Sequence, residues 1–247
     1  MAMSKVENGS VVLRSKTSKF SCSHELYAQA NLVKFRFDNP IHIEVGTITD
    51  SKSYMIHGAF LTSRSLFFKK ALSDDWKETP ERIVKLPEDE TDTFELYLHC
   101  VYNQEINLDP YSLLKDYVGH EARLELAKLY VFAERIQDIR AKNTAIKAFL
   151  KSVWGRGSSW YHPAVASVQV IYDGTAEGSP MHRLLVDIYA HAIRTPAKFD
   201  INYPREFFVE LVDELTKARL DNTGKRRGLE CGDPADDYLE PETEADN

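Results

Sequence analysis

Between Ser53 and Leu72 the chain reads SYMIHGAFLTSRSLFFKKAL, and this stretch limits the possible folds more than any other. A short extended segment passes through His57 and Gly58 into two brief apolar helices separated by Thr62-Ser63-Arg64-Ser65. Ser65 can accept a hydrogen bond from the unpaired backbone N–H groups of the turn that follows, and Phe68, Ala71 and Leu72 then share one face. A helical hairpin of this composition is built for burial, so the rest of the chain must supply its packing partners. No residue in it is arranged for chemistry.

Upstream, Ile41-His42-Ile43-Glu44-Val45 alternates apolar and polar, which places Ile41, Ile43 and Val45 on one sheet face. Gly46 to Asp50 closes a turn, and Ser53 to Ile56 returns as the second arm of a hairpin. Downstream, Arg82 to Leu86 reads as a third strand ended by Pro87. Asp92 with Glu95 three residues on resembles a capping box and predicts a helix start. Phe94, Tyr97, Leu98, Val101 and Tyr102 then follow at i, i+3, i+4, i+7 and i+8, the cleanest helical face in the sequence. Ile106 to Pro110 is a connection with room for a short edge strand.

From Glu121 to Gln137 a further helix carries Leu126, Leu129, Tyr130, Ala133 and Ile136 on one side. Asp138 caps the next, where Ile139, Asn143, Ile146, Leu150 and Val153 repeat at helical spacing. Strands too few and too short for a wound sheet, with helices in the majority, predict an α+β domain: a small mixed sheet packed against a helical cluster.

Beyond Trp154, Gly155-Arg156-Gly157-Ser158-Ser159 breaks the helix as a linker. Three amphipathic helices follow: one opened by Pro163 with Val165, Val168 and Tyr172, one capped by Ser179-Pro180, and one introduced by Asn202 and Pro204. The stripe of the second is Met181, Leu184, Leu185, Ile188 and Ala192; that of the third is Phe207, Phe208, Leu211, Val212 and Leu215. Helices of this length do not stand alone in water, so residues 155–220 are expected to form an all-helical C-terminal extension packed on the preceding helices or on itself. Residues 1–34 are polar with little periodicity and are expected to be mostly disordered. Residues 221–247 hold nine Asp/Glu against three Lys/Arg, which is −6 of the chain's net −7, and are expected to form an acidic, disordered tail.

These features exclude several functions. The balanced charge of the remaining chain offers no broad attraction to nucleic acid, and no run of 18 apolar residues exists to span a membrane. The start MAMSKVENGS lacks the apolar block of a signal peptide. Three scattered cysteines, Cys22, Cys100 and Cys231, fit neither metal-ligand spacing nor a disulfide framework, and favour a reducing compartment, cytosol or nucleus. His99 and Cys100 are adjacent on a helix and point about 100° apart. His182 and His191, nine residues apart, face different ways, and His120 could be joined to a Cys only arbitrarily. The acidic cluster Glu88 to Asp92 reads as a solvated loop with a helix cap. Lys225-Arg226-Arg227 is a weak nuclear-import candidate. No catalytic, cofactor-binding or metal-binding residue is assigned, and no small-molecule substrate is expected.

Three stretches together resemble a BTB/POZ domain, most closely fungal BTB proteins of unassigned role. H-G-A-F-L-x-x-R-S-L-F-F-K-K-A-L looks like the family's first two helices, and L-P-E-D-x-x-x-x-F-x-x-Y-L-x-x-V-Y at Leu86 to Tyr102 is similar to its third strand and third helix. L-x-K-L-Y-V-F-A-E-R-I-x-D-x-R-x-K-N-x-x-I at Leu126 to Ile146 is similar to its last helix pair. The resemblance implies a BTB/POZ domain over residues 35–154, with His57, Phe60, Leu61, Ser65, Phe68, Phe94, Leu98, Tyr102, Leu129, Tyr130, Ala133 and Asn143 as its scaffold. Departures are Pro40 where an acidic residue usually precedes the first strand, Ser65-Leu66 for the usual S-P, and Tyr102-Asn103-Gln104 for the usual Y-T-G. Family members self-associate or contact a cullin-3 ubiquitin ligase scaffold. The implied function is therefore a non-enzymatic interaction module, with a possible homodimer; the alternatives are a cullin-3 substrate adaptor, a nuclear transcription-associated regulator and, last, an enzyme with an unrecognised His/Cys site. The hydrophobic-x-Glu element of cullin-binding members is one place out of register at Tyr102-Asn103-Gln104-Glu105-Ile106.

Overall fold

Strand β1 (Pro40–Thr47) runs antiparallel to β2 (Asp50–His57) and parallel to β3 (Ile83–Leu86), giving a sheet of order β2-β1-β3. A computed structural model of the chain describes residues 40–47, 49–73, 83–107, 116–153, 161–192, 201–220 and 234–242. The N-terminal segment 1–34, the linker Gly155–Ser159, the cluster Lys225-Arg226-Arg227, and Cys22 and Cys231 lie outside the described residues. Alternation works as expected: Ile41, Ile43 and Val45 of β1, Ile56 of β2, and Val84 and Leu86 of β3 are buried on one face. On the other face the parallel register sets Glu44 beside Lys85, whose ammonium lies 3.2 Å away. The turn into β2 requires Gly46: its φ is +103°, and a Cβ there would stand 2.2 Å from the Asp50 carbonyl oxygen.

The hairpin of helices α1 (Gly58–Thr62) and α2 (Leu66–Ala71) follows β2. The long helices are α3 (Thr91–Asn103), α4 (Asp116–Arg135) and α5 (Ile139–Val153). Phe68, Phe94, Tyr97 and Phe132 form a ring cluster where α2, α3 and α4 meet, with centroids of neighbouring rings 5.2–6.5 Å apart. Such separations suit tilted and edge-on aromatic contacts.

Two expectations for α3 fail. The helix starts at Thr91 with Glu90 in the cap position and no side-chain cap, so Asp92 lies inside the first turn. Glu95 does not reach back to the helix start; it accepts hydrogen bonds from Lys52 and from the Tyr54 hydroxyl (3.0 Å) on β2. A partner on the sheet outcompetes the local cap. The buried face also turns away from Tyr102, which is 47% exposed, and half-exposes Leu98; Phe94, Tyr97, Cys100 and Val101 carry the burial.

Both α3 and α4 end on a glutamine in the left-handed region, Gln104 at φ 59° and Gln137 at φ 56°. After α4, Asp138 N–H reaches the Ala133 carbonyl and Gln137 N–H the Glu134 carbonyl, the pairing of a Schellman stop. Gln104 occupies the position of the glycine in the Y-T-G pattern, and its N–H donates to the Cys100 carbonyl.

Helices α6 (Val165–Gly174), α7 (Pro180–Ala192) and α8 (Arg205–Leu220) form the C-terminal extension. α6 packs on α4, and α7 on α8. Gly174 permits the approach to α4, since a Cβ there would lie 2.3 Å from Val131 Cγ1. The described residues belong to one compact unit. Val212 is a correction to the α8 stripe: it is exposed, while Phe207 and Leu211 are buried.

Part of the acidic tail, residues 234–242, is a further correction, and residues 221–233 and 243–247 lie outside the described residues. Residues 234–238 form a 3-10 helix, and 234–242 pack against α5 and α7 instead of being disordered. Tyr238 is buried and donates to Asp187 Oδ2 at 2.6 Å. A composition dominated by acids hides two apolar anchors, Ala235 and Tyr238, which suffice because α5 and α7 offer them a ready surface.

His182, on α7, is buried in the extension. Its ring stacks on Tyr172 with centroids 3.8 Å apart, Nε2 lies 2.9 Å from Thr175 Oγ1, and Nδ1 faces Glu210 at 3.8 Å. Burial holds its pKa below the ordinary 6.5, although Glu210 and Glu177 oppose this. The unfolded chain therefore takes up the proton more readily than the native one, and stability is expected to fall as pH drops through 6.5 towards the depressed native value. Urea midpoints of the protein and of His182→Phe, compared on either side of that pH, check this. The variant is expected to lose part of the slope, and an identical slope in both would exclude His182 as its source.

Candidate interaction surface

Ser65, Arg64 and Asp138 join the first and third of the sequence motifs. Ser65 Oγ accepts from Phe68 N–H at 3.2 Å, as its cap position predicts, but also donates to the Ile136 carbonyl at 2.6 Å. Two unpaired donors at the start of α2, Leu66 and Phe67 N–H, reach the carbonyls of Gln137 and Ile136. The open N-terminal end of one helix is thus satisfied by the open C-terminal end of another. Arg64 Nε lies 2.7 Å from Asp138 Oδ2, with the two side chains 8% and 0% exposed. Asp138 also accepts from Tyr97 OH (3.0 Å) and Ala141 N–H (2.9 Å), while Arg64 donates to the Cys100 carbonyl (3.2 Å). Every charge here is paired and hydrogen-bonded, as burial demands.

The scaffold residues fall into two groups. Leu61, Ser65, Phe68, Phe94, Leu129, Tyr130, Ala133 and Asn143 are buried. His57, Phe60, Leu98 and Tyr102 reach or approach the surface. The Phe60 ring touches Tyr102 at 5.3 Å between centroids, and His57 sets its ring edge-on to Phe60 at 6.2 Å. Met55, two residues before His57 on the same strand face, is 66% exposed. Met55, His57, Phe60 and Tyr102 thus follow one another from the outer face of the sheet to the end of α3. Leu66, 41% exposed, starts α2. The sequence signal for this surface was the alternation of β2, which assigns Met55 to the face opposite Ile56.

A second feature lies between α5 and the chain leaving α3, a cleft of about 290 Å³. Arg140, Lys147 and Lys151 line it from α5, Glu105 from beyond α3, and Glu242 from the tail. Asn143 fixes that tail: its Oδ1 accepts from Glu240 N–H at 3.0 Å, and its Nδ2 donates to the Glu240 carbonyl at 2.9 Å and to Glu242 Oε1 at 3.2 Å. Lys142, 7% exposed, pairs with Glu134 and Glu240. Asn143 interrupted an otherwise apolar stripe, the one trace of this contact legible in the sequence.

Of the groups that invite a catalytic reading, Cys100 and His99 stand in different surroundings. Burial pushes the Cys100 thiol up to about 12, whereas the neighbouring His99 is exposed and shares a contact with Asn103 at 3.3 Å. Among the described residues no group of three or more His, Cys, Asp or Glu is placed to hold a metal, and no helix is long and apolar enough to cross a membrane.

Comparison with known families places part of the chain. The BTB/POZ domain model matches residues 38–141, from just before β1 to the first turn of α5. No curated protein matches the chain. The three-stranded mixed sheet with its helical cluster is a BTB/POZ fold carrying C-terminal helices, and BTB/POZ domains are protein–protein interaction modules.

Proposed function

We propose that this protein is a non-enzymatic interaction module of the fungal BTB/POZ kind, working in the cytosol or nucleus by self-association. The observation that carries this reading is the run of apolar side chains left at the surface around Met55, Phe60 and Tyr102. Large exposed apolar groups that adjoin one another mark association surfaces more often than isolated ones do. A second copy meets the same patch across a two-fold axis, so one set of side chains serves both partners.

Light scattering over a range of concentrations tests it. The protein is expected to show a dimer mass that falls on dilution, and Met55→Glu/Tyr102→Glu to stay monomeric with an unchanged far-ultraviolet spectrum. A monomer at every concentration, or a dimer indifferent to both substitutions, contradicts the proposal. Cullin-3 adaptor function is the alternative. Glu105 is exposed beyond α3 but sits one place out of register for the cullin-binding element, so the N-terminal domain of cullin-3 is expected to bind weakly or not at all. A sub-micromolar dissociation constant by calorimetry would reverse that preference.

A further inference from the structure

We propose that the cleft on α5 is a receptor site for an acidic peptide segment, and that the chain's own strap at Glu240–Glu242 competes for it. The inference rests on the reading of the protein as an interaction module, but it concerns residues other than Met55 and Tyr102.

The argument starts from α5. Arg140, Thr144, Lys147 and Lys151 fall at i, i+4, i+7 and i+11 and so form one stripe. At ~1.5 Å per residue the stripe is roughly 16 Å long, the reach of about five residues of extended peptide. It carries three cations and no acid, on a chain whose net charge is −7. Among the described residues Lys147 and Lys151 have no carboxylate partner, and both are exposed. A helix face meant only for solvation usually mixes the two signs; this one does not.

The second observation is what already sits at one end. Glu242 reaches the cleft from the strap, 3.7 Å from Arg140 Nε, with its other oxygen held by Asn143 at 3.2 Å. The backbone of Glu240 is gripped on both sides by the Asn143 amide, and its carboxylate is paired with Lys142. An acidic peptide in extended form is therefore recognised here through backbone and carboxylate together, and the resident segment covers the Arg140 end while Lys147 and Lys151 stay open. Of the acids lining the cleft, Glu242 belongs to the strap, so its departure leaves Glu105 against three cations on α5. The negative overall charge disfavours a long nucleic-acid polyanion at the same site.

The probe is a fluorescein-labelled peptide LEPETEADN, the sequence of residues 239–247, titrated by anisotropy with the full chain. Binding is expected to weaken as salt is raised and to tighten about tenfold when Glu240→Gln/Glu242→Gln removes the two competing carboxylates of the strap. Adding Lys147→Gln/Lys151→Gln should reverse this by about tenfold. Those lysines are exposed, so an unchanged urea midpoint certifies the fold of the variants. The proposal is overturned if the peptide binds no form, if the lysine substitutions leave affinity unchanged, or if a peptide with every acid amidated binds equally. Competition by inorganic polyphosphate as strong as that by unlabelled peptide would also overturn it, since the site would then be a general anion site. Loss of peptide binding with self-association intact refutes this inference alone, whereas loss of self-association with peptide binding intact refutes only the dimer reading.

Discussion

Asp138→Ala is expected to lower stability by about 3–5 kcal/mol, the range for removing one partner from a buried ion pair. Three donors converge on this carboxylate: Arg64 Nε, Tyr97 OH and Ala141 N–H. Its removal leaves a guanidinium that is only 8% exposed without its counter-charge, and an orphaned hydroxyl in the aromatic cluster. It also strips the cap from α5, a loss of ~1 kcal/mol by itself. Urea unfolding by circular dichroism measures the change as a lower midpoint at constant slope. Arg64→Met should cost a similar amount, because the carboxylate is then the stranded charge. The double variant Arg64→Met/Asp138→Leu should cost clearly less than the sum of the single losses, since an apolar pair of similar volume removes both desolvation penalties. Strict additivity would mean that the two side chains act independently, contrary to their geometry. Tyr97→Phe is the mild member of the series, at about 1 kcal/mol for one hydrogen bond.

What was legible in the sequence follows the range of the interactions involved. Ser65 as a cap, Asp138 as a cap, the alternation of β1 and the stripes of α4, α5 and α7 are local, and each is set by residues within one or two turns. The joining of Ser65 to Ile136 and of Arg64 to Asp138 spans more than seventy residues, and nothing in the spacing of either motif points to the other. Asp92 and Glu95 show the converse, a local pattern overridden by Lys52 and Tyr54 across the sheet. The glutamine stops of α3 and α4 had no glycine to announce them. In the tail, charge density concealed Tyr238, whose buried ring and bond to Asp187 fold a segment that composition alone assigns to solvent. The two surface features were the least visible. Exposure of Met55 and Tyr102 depends on where neighbouring helices stop, and the cationic stripe on α5 acquires meaning only once Glu242 is seen against it.

Phe207→Ala is the second large effect expected, again about 3–5 kcal/mol, and it bears on how the extension relates to the BTB/POZ fold. Phe207 is fully buried on α8, with ring centroids of Tyr189, Tyr203, Tyr172 and Phe208 at 4.9, 5.5, 5.8 and 5.9 Å. Few sites in the chain combine such volume with so many rigid aromatic neighbours, which cannot collapse into the space left behind. The lost burial and the residual cavity therefore add. Where the loss appears is the more informative result. α6 lies on α4 closely enough that Gly174 has no room for a Cβ beside Val131, and the strap ties α5 to α7 through Asn143 and Tyr238. A core continuous across these contacts unfolds as one unit, so the truncation should shift a single transition and raise amide exchange in α4 and α5 as much as in α7 and α8. Faster exchange confined to α7 and α8, with α4 unchanged, would make the extension a separately unfolding unit.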